Sequence, residues 1–236
     1  MSRPQAVVLA APGTNRDADV RFALGLAGAD SRTVLLSELL ERPALLQGAQ
    51  LLVVAGGFSY ADALGAGRMW SLALQHGVGD SLHSFVAAGK PLIGICNGFQ
   101  VLTRTGLLPG ALGHNHSGHF QCEWVTLEAP SSRCVWTEGL EPFDCPIAHG
   151  EGRYVHPDVD TLESAGQVAL RYSGANPNGS ARDIAGVCDP TGVVLGLMPH
   201  PENHVLPRQH PRHARGSAGN LGLALFERGV AHARQN

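Results

Sequence analysis

The sequence predicts an α/β fold, with an open, mostly parallel sheet that is flanked by helices and carries an antiparallel extension. In the first hundred residues, short β-rich apolar runs alternate with longer segments of helical periodicity. This order is typical of a parallel sheet with helices on both faces. Later in the chain the apolar runs are joined mostly by turns, which favours antiparallel or mixed pairing.

The predicted elements follow the chain in a simple order. Strands are expected at 6–10, 33–36, 51–55 and 92–95, and helices at 17–29, 38–47, 69–88 and 97–105. Further strands are expected at 121–127, 146–148, 167–172, 184–188 and 193–198, before a closing helix at 221–233. The chain contains no internal repeat, low-complexity tract or linker, so residues 1–236 are predicted to form a single domain.

Composition narrows the possible classes of function. The 236 residues are 44% hydrophobic and 16% charged with a net charge of -3, which is typical of a soluble globular protein and argues against nucleic acid as a partner. The apolar runs are too short to span a membrane, and the N-terminus shows no secretory pattern. Five scattered cysteines suit reduced thiols. We therefore expect a cytoplasmic protein.

Cys96 is the candidate nucleophile. It stands where the apolar strand at 92–95 stops and a helix begins, with Gly94 and Gly98 two residues away on either side. Such a sharp strand-to-helix turn lifts a side chain out of the sheet. The helix N-terminus lowers a thiol pKa, and the amide of Asn97 can stabilise an oxyanion. The alternative is a buried core cysteine that only ends a strand, which the two glycines weaken moderately.

A base for this nucleophile is expected in the segment Met198-Pro-His-Pro-Glu202, which follows a predicted strand. Two prolines should hold it extended, which would place His200 and Glu202 on the same side. His200 could then take the thiol proton while Glu202 orients the imidazole. Chance spacing among 12 histidines is the alternative. The position at the carboxyl end of a strand favours a site.

These motifs resemble a known family. The runs Gly94-Ile-Cys-Asn-Gly-Phe-Gln100 and Met198-Pro-His-Pro-Glu202 are similar to those of class I, or triad-type, glutamine amidotransferases, which have a flavodoxin-like fold. Four further blocks narrow the resemblance to the glutaminase subunit of phosphoribosylformylglycinamidine synthase: Gly56-Gly-Phe-Ser-Tyr-Ala-Asp62, Leu107-Leu-Pro-Gly110, Ala148-His-Gly-Glu-Gly-Arg153 and Asn176-Pro-Asn-Gly-Ser180. Together these blocks extend over nearly the whole chain.

The resemblance implies a role for each site residue. It implies a catalytic triad of Cys96, His200 and Glu202 that hydrolyses glutamine through a thioester on the cysteine. Backbone amides of Gly57 and Asn97 would form the oxyanion hole. The residues expected to contact the substrate are Gln100, Asn178, Gly179 and Ser180.

The same resemblance implies partners. Ammonia would pass to a separate synthase chain, accompanied by a small third subunit, that converts formylglycinamide ribonucleotide to formylglycinamidine ribonucleotide in purine biosynthesis. The synthase would use ATP and Mg²⁺, whereas this subunit would need no cofactor or metal. Two departures from the family bear on partner contacts: Asn203 stands where many members have arginine, and the loop at 62–67 lacks an arginine beside Leu64.

Other interpretations of the sequence remain open. His114, His116, His119 and Cys122 are four potential zinc ligands within nine residues, although their spacing fits no familiar finger. A non-catalytic metal-binding protein is therefore one alternative function, and a cysteine hydrolase or thiol sensor is another. His149 and Glu151 could form a second acid-base pair, but the resemblance favours a wall between the active site and the partner.

Overall fold

The computed structural model describes residues 2–216 and 219–235. Its strands are β1 Gln5–Ala10, β2 Asp30–Leu35, β3 Leu51–Val54, β4 Leu92–Ile95, β5 Ala111–Gly113, β6 Gln121–Glu128, β7 Phe143–His149, β8 Arg153–Val155, β9 Val168–Ser173, β10 Ile184–Cys188 and β11 Val194–Leu197. Its α-helices are α1 Asp17–Leu26, α2 Leu36–Glu41, α3 Arg68–Ala87, α4 Asn97–Arg104, α5 Val159–Ser164 and α6 Leu223–Ala233.

Nine strands form one sheet in the order β2-β1-β3-β4-β11-β10-β9-β6-β7. The pairs from β2 to β11 are parallel, and the pairs from β11 to β7 are antiparallel. The predicted parallel sheet with an antiparallel extension is thus confirmed. Strands β5 and β8 pair separately as a small antiparallel sheet.

The two parts of the sheet differ in burial. Every residue of β3, β4 and β11 is buried, as expected for strands covered by helices on both faces. On β7, buried and half-buried residues alternate, as expected for a strand with one face toward the core. Buried side chains of both parts nevertheless belong to one hydrophobic cluster. No helix in the described ranges is both long and apolar enough to cross a membrane.

Local features explain where the predicted elements were wrong. The helix expected at 38–47 ends at Glu41, and a separate 3-10 turn begins at Pro43. Proline lacks the N–H that a continuing helix requires and disfavours helical geometry in the residue before it. Strands β5 and β8 and helix α5 were missed. Elements of three to six residues are too short to show a reliable period.

Candidate active site

The loops that follow β1, β3, β4 and β11 meet at the carboxyl edge of the parallel strands. Ligand sites of open α/β sheets lie at this edge. Cys96 follows β4, and its backbone N–H donates to the carbonyl of Leu197 at the end of β11. His200 comes three residues after Leu197. Pairing of β4 with β11 therefore brings the cysteine and the histidine to one place.

Cys96 occupies a strained turn. It is the residue before α4, and its backbone angles, φ 51° and ψ -105°, lie in a region that residues other than glycine rarely adopt. A Cβ on Gly98 would overlap the carbonyl of Val54, and one on Gly94 would lie 2.7 Å from the carbonyl of Gly98. Gly98 thus allows the start of α4 to pack directly on β3, and Gly94 allows it to pack directly on β4. The thiol is only 5% exposed and points toward the carbonyl of Ala148, 3.9 Å away.

His200 and Glu202 form a buried pair. His200 Nδ1 lies 2.6 Å from Glu202 Oε1, with the two side chains 5% and 0% exposed. The expected extended segment is wrong, because Pro201–Asn203 form a 3-10 turn. The turn still brings the two side chains together, because Glu202 at its centre reaches back to His200, the residue that precedes the turn. With Nδ1 bound to the carboxylate, Nε2 is left to face the thiol.

The site favours a protonated imidazole. Burial acts to lower the pKa of His200, but the charges of Glu202 and Cys96, with hydrogen bonds to both, outweigh burial and raise this pKa well above its usual value of 6.5. Cys96 and His200 also line one small cavity of about 20 Å³ with Gly57 and Ala148. The arrangement places an imidazole that favours its protonated form beside the thiol of Cys96, within reach of a proton exchange between them.

The two residues expected to supply oxyanion donors lie at this edge as well. Gly57 has φ 146° and lines both the small cavity and a larger one beside it. A Cβ on Gly57 would lie 2.8 Å from the backbone of Thr14 and Asn15, so this close approach requires glycine. Asn97 is the first residue of α4, where a backbone N–H has no acceptor within the helix. Gly57 therefore lies beside the thiol, and Asn97 follows Cys96 directly in the chain.

The larger cavity measures about 220 Å³ and extends outward from Cys96. Its lining includes Gly57, Phe58, Asp62, Ala66, Gln100, His114, Gly118, Phe120, Ala148, His149, Gly150 and Glu151. Gln100 Nε2 donates to the carbonyl of Glu151 at 2.7 Å, and its Oε1 accepts from Asn97 Nδ2 at 2.9 Å. Both ends of the Gln100 amide are thus bonded within the protein, and this side chain supports the cavity wall.

Asn178, Gly179 and Ser180 lie behind this wall. Asn178 Nδ2 donates to the carbonyl of Gly152 at 2.9 Å and to the hydroxyl of Tyr172 at 3.1 Å. Ser180 Oγ donates to Asn178 Oδ1 at 2.6 Å. The side chains of Asn178 and Ser180 are buried and bonded to one another, so they hold the wall in place from the protein side.

Asn115 was not among the site residues predicted from the sequence, although it stands in the histidine-rich run. Its Nδ2 donates to the carbonyls of His119 and His149, and its Oδ1 accepts from the N–H of Gly152 at 3.0 Å. The same oxygen lies 3.2 Å from His149 Nδ1, so that nitrogen carries the proton. No sequence signal separates this buried asparagine from a solvated loop residue. In the described ranges, no three His, Cys, Asp or Glu side chains are arranged to hold a metal ion.

His149 is kept neutral at the cavity wall. It is 3% exposed, and its Nε2 faces Asn178 Nδ2 at 3.5 Å. Burial, and next the positive charge of His200, lower its pKa to about 4. The two histidines of the site are therefore distinct, since His200 favours its charged form and His149 its neutral form.

Hydrogen bonds within the protein involve Asn203 and the loop at 62–67, the two places where the sequence departs from the family. Asn203 Nδ2 donates to Asp19 Oδ2 at 3.0 Å, which ties the turn that carries Glu202 to helix α1. Arg104 Nε donates to the carbonyl of Ala66 at 2.9 Å and so anchors the loop at 62–67 from α4.

An open α/β sheet that presents a buried cysteine beside a histidine-glutamate pair defines an enzyme class that uses a thiol nucleophile. Comparison with known proteins gives the family. The family model described as a CobB/CobQ-like glutamine amidotransferase domain matches residues 3–233, and the chain belongs to this family.

Relatives and solved structures agree with this assignment. The chain is 42% identical to phosphoribosylformylglycinamidine synthase subunit PurQ of Treponema denticola, over 97% of this chain and 98% of that one. It is 40% identical to the PurQ subunit of Dehalococcoides mccartyi over 100% of both chains. Among solved structures, that of PurLQS from Thermotoga maritima matches with a TM-score of 0.81 and 35% identity, over 97% of this chain and 98% of that chain. A glutamine amidotransferase from the same organism, 18% identical with a TM-score of 0.57 over 92% of this chain and 83% of that chain, shares the fold.

Proposed function

We propose that this chain is the glutaminase subunit of phosphoribosylformylglycinamidine synthase, which releases ammonia from glutamine for a step of purine biosynthesis. The observation that carries the proposal is the buried Cys96 at the start of α4 beside the His200–Glu202 pair. The similarity to PurQ subunits over almost the full length of both chains supports it.

In the proposed reaction, the Cys96 thiolate attacks the γ-carbonyl carbon of glutamine, and a carbon–sulfur bond forms. The amides of Gly57 and Asn97 would donate to the resulting oxyanion. Protonated His200 would give its proton to the leaving nitrogen as the carbon–nitrogen bond breaks and ammonia departs. Neutral His200 would then take a proton from water, which attacks the thioester and releases glutamate with the free thiol. Glu202 would keep the imidazole oriented through both steps.

The partners are proposed from the same similarity. One solved structure that resembles this chain is that of PurLQS, so we infer a synthase chain and a small third subunit for this protein too. The synthase would bind ATP and Mg²⁺ and aminate formylglycinamide ribonucleotide with the ammonia. None of the groups in the proposed glutaminase reaction requires a metal or nucleotide, so we propose that the present chain uses no cofactor.

The test is glutamate release from glutamine by the wild type and by Cys96→Ala, each with and without the cognate synthase, third subunit, ATP and formylglycinamide ribonucleotide. Cys122→Ala is the matched control, since Cys122 is an exposed thiol on β6. We expect activity that the partners stimulate, that Cys96→Ala abolishes and that Cys122→Ala retains. A complete mixture without glutamate release, or an active Cys96→Ala, would contradict the proposal.

A further inference from the structure

One carboxylate on helix α1 joins two loops of the candidate site. Oδ2 of Asp19 accepts from Asn203 Nδ2 at 3.0 Å and from Arg16 Nη1 at 3.2 Å. Asn203 follows Glu202 in the chain, and Arg16 is the last residue before α1. We propose that Asp19 is a positioning residue for the glutaminase reaction, which acts through Asn203 on the buried His200–Glu202 pair. This inference rests on the proposed function.

The 3-10 turn that carries Glu202 depends on contacts at its end. It has three residues, Pro201–Asn203, and the N–H of Asn203 donates to the carbonyl of His200 at 3.1 Å. Glu202 Oε1 lies 2.6 Å from His200 Nδ1, while its Oε2 is buried without a hydrogen-bond partner in the described part of the chain. Within that part, one hydrogen bond thus holds the carboxylate, so its direction follows the backbone of the turn. Asn203 ends this turn, and Asp19 holds Asn203.

The other donor to Asp19 belongs to the loop that packs on Gly57. Thr14 forms a β-bridge with Gly57, and a Cβ on Gly57 would lie 2.8 Å from the backbone nitrogen of Asn15. Arg16 comes next in the chain and lines the small cavity beside the thiol. A single carboxylate oxygen therefore connects the loop beside an expected oxyanion donor to the turn that orients the imidazole.

This connection affects alignment more than stability. The side chains of Arg16 and Asp19 are 38% and 41% exposed, and ion pairs in such positions contribute little to the stability of a fold. Removal of Asp19 should therefore leave the protein folded. Without its acceptor, however, Asn203 no longer fixes the end of the turn. Catalysis is sensitive to such a change, since a displacement of about 1 Å can lower a rate by about a hundredfold.

The test measures kcat and KM for glutamate release by the full chain in complex with its synthase and third subunit. The variants are Asp19→Ala, Asn203→Ala, the double variant and Asp19→Asn, which keeps an oxygen that can accept from Asn203. Asp17→Ala is the matched control. Asp17 is in the same first turn of α1 and interacts equally with the helix dipole, but its carboxylate accepts from Thr33 Oγ1 at 3.2 Å.

We expect kcat to fall about tenfold in Asp19→Ala and in Asn203→Ala, with KM changed by less than about twofold, because misalignment acts on the reacting groups. The double variant should lose no more than the larger single loss, since both substitutions break one contact. Asp19→Asn should retain most of the activity, and Asp17→Ala should match the wild type. Losses that multiply in the double variant, or an equal loss in Asp17→Ala, would overturn the inference.

A second measurement is independent of the proposed function. Alkylation of Cys96 by iodoacetamide, followed in the Cys96 peptide by mass spectrometry, needs neither glutamine nor the synthase. Its rate near neutral pH depends on the base beside the thiol, so it should fall in Asp19→Ala and in Asn203→Ala but not in Asp17→Ala. Equal rates in all variants would overturn the inference. A wild-type complex that releases no glutamate would overturn the proposed function, and the alkylation rates would still decide whether Asp19 positions His200.

Discussion

The parallel and antiparallel halves of the sheet contribute to the candidate site in different ways. The parallel half provides strained backbone, with Cys96 at φ 51° in a turn where α4 packs closely on β3 and β4. The antiparallel half provides hydrogen-bonded side chains, of which Asn115, His149 and Asn178 are buried. The comparison indicates that backbone geometry positions the candidate nucleophile, whereas a network of polar side chains holds the cavity wall. Substitutions in the two halves should therefore fail in different ways.

The largest effect is expected from Glu202→Gln at the junction of the halves. Without the carboxylate, the imidazole loses its orienting partner, and we expect glutaminase activity to fall by about a hundredfold or more, in the range of general acid-base catalysis. The measurement is kcat for glutamate release in the assembled complex. Activity within a few-fold of the wild type would show that the pair at 2.6 Å is structural.

The effect of Glu202→Gln on the stability of the fold should also depend on pH. The folded pKa of His200 is raised above the unfolded value of 6.5, so its stabilising contribution is complete below pH 6.5 and is lost as pH rises through the folded pKa. The melting temperatures of wild type and Glu202→Gln should differ most at about pH 6 and converge as pH increases. A difference that does not change with pH would contradict a charged pair.

Gly98→Ala should be the most destabilising change in the parallel half. Its Cβ would overlap the carbonyl of Val54, a backbone atom that cannot move aside without displacing β3. We expect a loss of about 3 kcal/mol, at the upper end of typical overpacking effects. Gly150→Ala is the control, because a Cβ there meets only Phe120 at 3.8 Å. Chemical denaturation of both variants measures the effect, and similar stabilities would contradict the packing argument.

His149→Asn tests the antiparallel half. The folded pKa of His149 is about 4 against 6.5 when unfolded, so its contribution is complete above pH 6.5 and is lost as pH falls toward 4. A shift of this size corresponds to about 3 kcal/mol at most. Asparagine does not titrate, so the variant should lose less stability than the wild type between pH 6.5 and 4. The measurement is the melting temperature of both proteins across that range. If the two melting temperatures changed in parallel with pH, His149 would accept a proton as readily in the folded protein as in the unfolded chain.

Ser180→Ala should have the smallest of these effects. It removes the hydroxyl that accepts from the N–H of Tyr154 at 2.9 Å and donates to Asn178. A buried N–H left without a partner costs about 1–3 kcal/mol. We expect a corresponding drop in unfolding free energy and a higher KM for glutamine, with kcat nearly unchanged. A change in kcat alone would contradict this expectation, since it would mean that Ser180 acts on the reacting groups and not only on the cavity wall.

The fold and the main site residues could be predicted because their signals are local. Alternating runs of apolar residues reveal the parallel strands and their helices. Gly94 and Gly98, on either side of Cys96, indicate an unusually sharp strand-to-helix turn. The geometry around His200 could not be derived in the same way, since the sequence favoured an extended segment and the chain forms a 3-10 turn. In that turn, proline restricts its own backbone angle and that of the residue before it, and the turn also contacts β7 and α1, which are distant in the chain.

By itself, the sequence determined the class of fold, the family motifs and the side chains available for chemistry, because periodicity and turn residues act over a few positions. Only the tertiary structure decided what those side chains do to one another. Asn115 and His149 are 34 residues apart, and Asp19 lies even further from Asn203 in the chain. Their burial, charges and hydrogen bonds arise from packing of distant segments, and no local pattern encodes that packing.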